Sequence, residues 1–288
     1  MTVFSIVSDE RSILGESPIW DDELQRIYWV DIEGKSLHAW SYIDNKKLFW
    51  SFDYRLCAIS LTTNNNMLLC AFDNFLAFFD LNNQNIEKLN SQVSLPANVR
   101  FNDAKTDGYG RFWFGTMSES NPKNTDGSIY MLDSELNIHE IIKGIHISNS
   151  ITPSYDNKYL YYTDTLKKII YKLELIKNEP FVYNSSIYVD NTNLEGFPDG
   201  STIDSNNFLW NAEWNGAQIV QYNQQGEVIN IIKLPMQNPT CVAFGGPDMN
   251  KLFITSAIDN TEDMDHISGK TICISTSEKG NLSNRFFI

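Results

Sequence analysis

Apolar and polar positions alternate in short runs along almost the whole chain, and the runs are dense in Tyr, Trp, Phe and Ile. Period-two alternation predicts strands, while the three-and-four spacing of an amphipathic helix is almost absent. Aromatic-rich runs line up at Tyr28, Leu69, Trp113, Tyr161, Trp210 and Phe253, with separations of 41, 44, 48, 49 and 43 residues. Periods in that range mark propeller blades.

Each of these runs follows, by 11 to 13 residues, a position that opens a repeat: Glu16, Cys57, Asn102, Asn149, Asp199 and Thr240. A third run follows each: Leu37 to Trp40, Phe75 to Phe79, Ser128 to Leu132, Ile169 to Leu173, Gln218 to Tyr222 and Thr271 to Ile274. Fourth strands read most clearly over Ile138 to Ile142 and Val228 to Ile232. Turn signals such as Asp44-Asn45-Lys46, Asp107-Gly108, Asp126-Gly127 and Asn215-Gly216 separate them. Radial repetition of four-stranded sheets protects so many strand edges. The pattern therefore predicts an all-β fold: one six-bladed β-propeller domain over residues 1–288, with four-stranded antiparallel blades. Thr2 to Val7 alternates as well and is expected to supply the outer strand of the last blade.

The first strand of every propeller blade lines the central channel, so the repeat-opening residues are expected to ring one mouth of it. Among them, Glu16, Asn149 and Asp199 offer two carboxylates and one amide oxygen, the shell that hard divalent cations take. Asn and Asp also cap strand ends by bonding to backbone donors, so the spacing alone leaves a metal site and a structural ring both open. The second repeat is polar-poor at Cys57 and offers no ligand. Around the third, Arg100, Asn102 and Glu119 could hydrogen-bond a polyhydroxylated ligand; equally, Arg100 could pair with a neighbouring carboxylate while Glu119 sits on a solvated loop.

Charge narrows the partners. The formal net charge is −14, which repels phosphate backbones and anionic membrane surfaces and so argues against nucleic acid or membrane as a partner. Hydrophobic residues make up 42% of the chain and charged residues 20%, the profile of a folded soluble protein. Cys57, Cys70, Cys241 and Cys273 are far apart and form no CxxC pair, which predicts free buried thiols in a reducing compartment. The N-terminal residues show neither a basic segment nor a long apolar one, and no 18-residue apolar run occurs. A cytoplasmic location is the expectation. Oligomeric state is not legible.

Competing motifs fail. His139-Glu140 lacks the second His of HExxH and falls in an outer-strand pattern. Gly15-Glu16-Ser17 does not continue into a nucleophile elbow, and no phosphate-binding loop or dinucleotide fingerprint occurs. His146 precedes Asn149 by three residues; a lone loop His is usually a bystander. The acidic stretch Asp259, Glu262, Asp263 and Asp265 lacks the glycine and spacing of an EF-hand loop and reads as solvated.

Several pieces resemble the sugar-lactone lactonases, the family of gluconolactonase, regucalcin (senescence marker protein) and luciferin-regenerating enzyme. They are Gly-Glu-Ser-Pro-Ile-Trp (15–20), Arg-Phe-Asn-Asp (100–103), Gly-Arg-Phe-Trp-Phe-Gly-Thr-Met (110–117), Asn149-Ser150, Phe197-Pro198-Asp199-Gly200 and the stretch from Pro239 to Pro247. They occur in order over nearly the whole chain. The resemblance implies one divalent metal (calcium, zinc, magnesium, manganese or iron(II)) held by Glu16, Asn149 and Asp199. It also implies substrate contacts from Arg100, Asn102 and Glu119, with Asp199 as general base. Ala104 and Ser150 stand where the family usually has Gly, which puts local backbone shape and substrate fit in question.

The expected function is a metal-dependent lactonase opening a sugar (aldono-)lactone such as gluconolactone or xylonolactone to the aldonic acid. The alternative is a non-catalytic propeller that binds calcium or a small polar ligand, since a fold does not fix a function. A phosphotriesterase or aryl esterase would share the metal site but should have a more apolar rim than Arg100 and Glu119 provide.

Overall fold

The computed structural model describes residues 3–121, 123–178, 183–258 and 266–288. Strand β1 spans Phe4–Ile6. Blade one holds β2 (Gly15–Asp21), β3 (Arg26–Asp31), β4 (Ser36–Ser41) and β5 (Lys47–Ser51). Blade two holds β6 (Leu56–Leu61), β7 (Met67–Phe72), β8 (Leu76–Asp80) and β9 (Ile86–Lys88). Blade three holds β10 (Val99–Thr106), β11 (Phe112–Ser118), β12 (Gly127–Leu132) and β13 (Ile138–Ile145). Blade four holds β14 (Ser148–Pro153), β15 (Tyr159–Asp164), β16 (Ile169–Glu174) and β17 (Ser185–Asp190). Blade five holds β18 (Phe197–Ile203), β19 (Leu209–Trp214), β20 (Gln218–Tyr222) and β21 (Val228–Lys233). The last blade holds β22 (Pro239–Gly245), β23 (Lys251–Ser256) and β24 (Ile272–Ser275), with β1 as its outer strand.

Six four-stranded sheets of neighbouring strands make the fold class an all-β six-bladed β-propeller. A single 3₁₀ turn, Thr165–Lys167, is the helix among the described residues. The expected N-terminal strand pairs antiparallel with β24, Ser5 opposite Cys273. Fourth strands β5, β9 and β17, faint in the sequence, are short or half-exposed, so they carry little apolar alternation.

The chain forms two compact units. One comprises Met1–Leu56 and Asn193–Ser283; the other comprises Cys57–Thr192 and Asn284–Ile288. In the first, Trp210, Ala212 and Ile219 of blade five pack with Val242, Phe244, Leu252 and Ile254 of the last blade. There Trp20 also stacks on Phe253 at 5.7 Å. In the second, Trp113, Ile129 and Met131 of blade three meet Ile151, Leu160 and Tyr162 of blade four. These facing layers follow from alternation, which along these inner strands sends every second side chain to the same face.

Aspartates close the hairpins. Asp21 Oδ1 accepts the backbone N–H groups of Glu23 and Leu24, and Asp204 Oδ1 accepts those of Asn206 and Phe208. Such Asx turns explain the Asp-rich turn signals of the sequence. Asp107 goes further. Fully buried, it accepts Arg111 Nε at 2.8 Å and Trp113 Nε1 at 2.8 Å and pairs with Arg111 Nη2 at 2.7 Å. The charge of Asp107 is thus matched where it lies.

All four cysteines are free and buried, as expected. Burial pushes the Cys273 thiol up to about 11, which keeps it protonated and inert near neutrality. No helix among the described residues is long and apolar enough to cross a membrane. His139 lies on the outer strand β13 and pairs with Asp133 at 2.8 Å, a structural role. The acidic stretch of Asp259, Glu262, Asp263 and Asp265 lies outside the described residues.

Candidate functional site

The repeat-opening polar residues share a backbone feature that the sequence did not announce. In blades one, three, four, five and six the ladder between first and second strands slips register at that position. The slips fall between Glu16 and Ile19, Phe101 and Ala104, Asn149 and Thr152, Pro198 and Ser201, and Pro239 and Cys241. A bulge re-aims side chains and releases backbone groups from pairing, which is why bulges gather beside functional sites. Asn102, Asp199 and Thr240 sit inside their bulges, while Glu16 and Asn149 border theirs. In those two, the next residue, Ser17 (φ 49°) or Ser150 (φ 57°), takes the left-handed conformation. That is the backbone shape for which glycine is the default, and Ser150 holds it without being one.

In the first unit, Glu16 is half-buried and its Oε2 accepts the N–H of Ser17 at 3.1 Å. Asp199 is buried. Its bulge is held by Asn211, whose Nδ2 donates to the Asp199 carbonyl at 3.0 Å and to Ser201 Oγ at 2.8 Å. Gly200 is required there, since a Cβ would collide with Cys241 Sγ.

In the second unit, four of the expected residues are joined in one chain by an ion pair and hydrogen bonds. Arg100 pairs through Nε with Glu119 Oε1 at 3.4 Å and donates from Nη1 to Asn102 Oδ1 at 2.8 Å. Asn102 Nδ2 donates to Asn149 Oδ1 at 2.8 Å and to the Ser148 carbonyl at 2.9 Å. Asn149 Nδ2 donates to Thr165 Oγ1 at 3.0 Å. Both amide hydrogens of Asn102 are engaged, so toward a further ligand its side chain acts as an acceptor. Arg100 is buried and held by the Phe101 carbonyl as well, at 2.8 Å. Its guanidinium is a fixed fork, not a mobile surface charge.

Sequence reasoning missed Asp103 and Thr165. Asp103 is buried and accepts Ala104 N–H on Oδ1 and Ile151 N–H on Oδ2, both at 2.8 Å. Burial pushes its carboxyl up to about 6, against the opposing pull of Lys105 and the two backbone donors. The signal available was its place next to Asn102 in the Arg-Phe-Asn-Asp stretch; nothing in the sequence says which neighbour it grips. His146 is tied through Nδ1 to Asp164 Oδ2 at 2.9 Å, and Lys167 reaches the same oxygen at 3.0 Å.

Among the described residues no three His, Cys, Asp or Glu side chains gather as a metal cluster; the expected ligand set contains an amide. Asn149 fits the part. Thr165 anchors the nitrogen end of its amide, and Asn102 uses one of the two lone pairs on the oxygen. Two carboxylates and an oriented amide oxygen are donors of the kind a hard divalent cation accepts.

A six-bladed propeller with polar side chains set at first-strand bulges defines the class. Within it, the family described as "SMP-30/Gluconolactonase/LRE-like region" matches residues 14–258, and the chain belongs to that family. It is 32% identical to the L-arabinolactonase of Azospirillum brasilense over 88% of this chain and 84% of the relative. It is 30% identical to regucalcin of Danio rerio over 87% of this chain and 85% of the relative. Among solved structures, a calcium-binding protein, regucalcin, from Agrobacterium tumefaciens superposes with a TM-score of 0.92 at 26% identity. That match covers 100% of this chain and 98% of the other.

Proposed function

We propose that this protein is a lactonase that hydrolyses the internal ester of a sugar lactone, such as gluconolactone or xylonolactone, to the open aldonic acid. Family membership together with curated relatives that are themselves named lactonases supports hydrolysis of a lactone. The observation that carries a sugar as substrate is the Glu119–Arg100–Asn102 chain: polar, pre-formed and anchored, as recognition of ring hydroxyls requires.

In this reading, water attacks the acyl carbon while the Asp199 carboxylate takes its proton. The bond between acyl carbon and ring oxygen then breaks, and that oxygen leaves as a hydroxyl after taking the proton back from Asp199. Arg100, Asn102 and Glu119 hold the ring in register, where a misplacement of about 1 Å costs on the order of a hundredfold in rate. Glu16, Asn149 and Asp199 are the proposed ligands of one divalent cation, which when bound polarises the lactone carbonyl and stabilises negative charge on its oxygen. The product acid ionises near neutrality, so turnover releases one proton.

Proton release from gluconolactone and xylonolactone is the test, followed with wild type, chelator-treated protein and Asp199→Asn. Loss of release in Asp199→Asn, and loss with recovery on chelation and readdition of calcium, zinc, magnesium or manganese, is the expected result. Equal rates for wild type and Asp199→Asn would remove the catalytic assignment. The likeness to regucalcin favours a second reading, a propeller that binds calcium without turnover. Binding of calcium with no proton release from any sugar lactone would select it.

A further inference from the structure

The consecutive residues Asn102 and Asp103 occupy the bulge of β10, and both reach across to the bulge of β14. Asn102 holds the Ser148 carbonyl and the Asn149 side chain. Asp103 holds the backbone N–H of Ile151, two residues beyond Asn149. Ser150 lies between these grips in the left-handed conformation, so both ends of a strained three-residue arc are fixed from blade three. A bulge residue has no ladder bond to return it to place. Without the Asp103 bond, the arc loses the grip on its Ile151 end.

We propose that Asp103 is a positioning residue: it fixes the β14 bulge so that the Asn149 amide oxygen faces its ligand, without itself touching substrate. The proposal rests on the reading of Asn149 as a cation ligand for its functional consequence, but not for its structural content. Asp103 suits the role chemically. A carboxylate has two acceptor oxygens and no donor, and here one oxygen takes the N–H of Ala104 while the other takes that of Ile151. An asparagine has one acceptor, so Asp103→Asn turns an NH₂ group toward one of the two backbone N–H donors. Partners that orient a metal ligand in this way typically influence cation affinity tenfold or more.

The test uses the full chain and three readouts on wild type and Asp103→Asn. Calcium and zinc are titrated separately into chelator-treated protein by calorimetry. The side-chain amide resonances of Asn149, assigned by their absence in Asn149→Ala, are followed by NMR without metal. Lactone kinetics are taken at saturating cation. The expected result is cation binding weakened at least tenfold, shifted Asn149 resonances, and kcat lowered with KM within about threefold of wild type. Unchanged cation affinity and unmoved Asn149 resonances overturn the proposal. If wild type takes up neither ion, the cation reading falls and the Asn149 resonances alone decide: shifted upholds the positioning role, unmoved ends it. Should Asp103→Asn not fold, hydrogen exchange at Ile151 in wild type takes its place. Slow exchange supports the bond, and exchange as fast as in an exposed loop removes it.

Discussion

Asn102 donates its side-chain amide to the carboxamide oxygen of Asn149 at 2.8 Å, joining a proposed substrate contact to a proposed cation ligand. Replacing Asn102 by Leu keeps the approximate shape and removes the bond. Asn149 then loses the donor that sets its oxygen, and Arg100 loses an acceptor. We expect kcat/KM for the lactone to fall by about a hundredfold, roughly 2.7 kcal/mol. Steady-state proton release measures it.

Arg100 makes its contacts through a planar fork: Nη1 to Asn102 and to the Phe101 carbonyl, Nε toward Glu119. Lysine keeps the charge but cannot span those partners. Arg100→Lys should raise KM about tenfold while kcat stays within about threefold, the signature of lost uniform binding. An unchanged KM would exclude Arg100 from substrate recognition.

Stability should hinge on Asp107. It is fully buried and accepts Arg111, Trp113 and the backbone N–H of Tyr109. Asp107→Ala leaves the buried Arg111 cation without its counter-charge. We expect a loss of about 3–5 kcal/mol, read from the shift of the urea unfolding midpoint.

Ser150 offers a subtler stability test. At φ 57° and fully buried, it holds a backbone conformation that β-branched residues tolerate poorly. Ser150→Gly should be near neutral, because relief of backbone strain offsets the added entropy of the unfolded chain. Ser150→Val should cost more than about 2 kcal/mol. Thermal unfolding of the two variants side by side gives the comparison.

His38 provides a pH signature away from the site. It is buried, stacked on Trp29 at 5.3 Å, and its Nε2 meets Ser36 Oγ at 2.9 Å. Burial holds its pKa below the usual 6.5, with Glu10 and Asp31 pulling the other way. The unfolded chain therefore binds a proton more readily than the folded one once the pH falls below about 6.5, and folding weakens there. The stability gap between wild type and His38→Gln should be widest at pH 7 and narrow as the pH falls toward 5. A gap constant with pH would show that His38 titrates alike in both states.

The blades are legible in the sequence because their period comes from a repeated unit with two-residue alternation. Tyr28, Leu69, Trp113, Tyr161, Trp210 and Phe253 all fall in second strands. Short outer strands such as β9 are half solvated and carry weaker alternation. At the site, the identities of Arg100, Asn102, Glu119 and Asn149 follow from family resemblance, and the structure links those four through one ion pair and two hydrogen bonds. What the sequence does not carry is the bulge that takes Asn102 out of the ladder, or the one that Asn149 borders. A bulge is a register event between two strands, invisible in either strand alone. Asp103 was passed over for the same reason: its partner, Ile151, lies 48 residues away, and only pairing between blades reveals it.

The last blade is completed by a strand from the opposite end of the chain, β1 against β24. During synthesis, Phe4–Ile6 emerges some 270 residues ahead of Ile272–Ser275, and its backbone bonds form only once that partner is made. Nascent chains thus carry an unsealed sheet edge until β24 has been made. Removing β1 and interrupting β24 should therefore injure one and the same sheet, though the two lesions lie far apart along the chain.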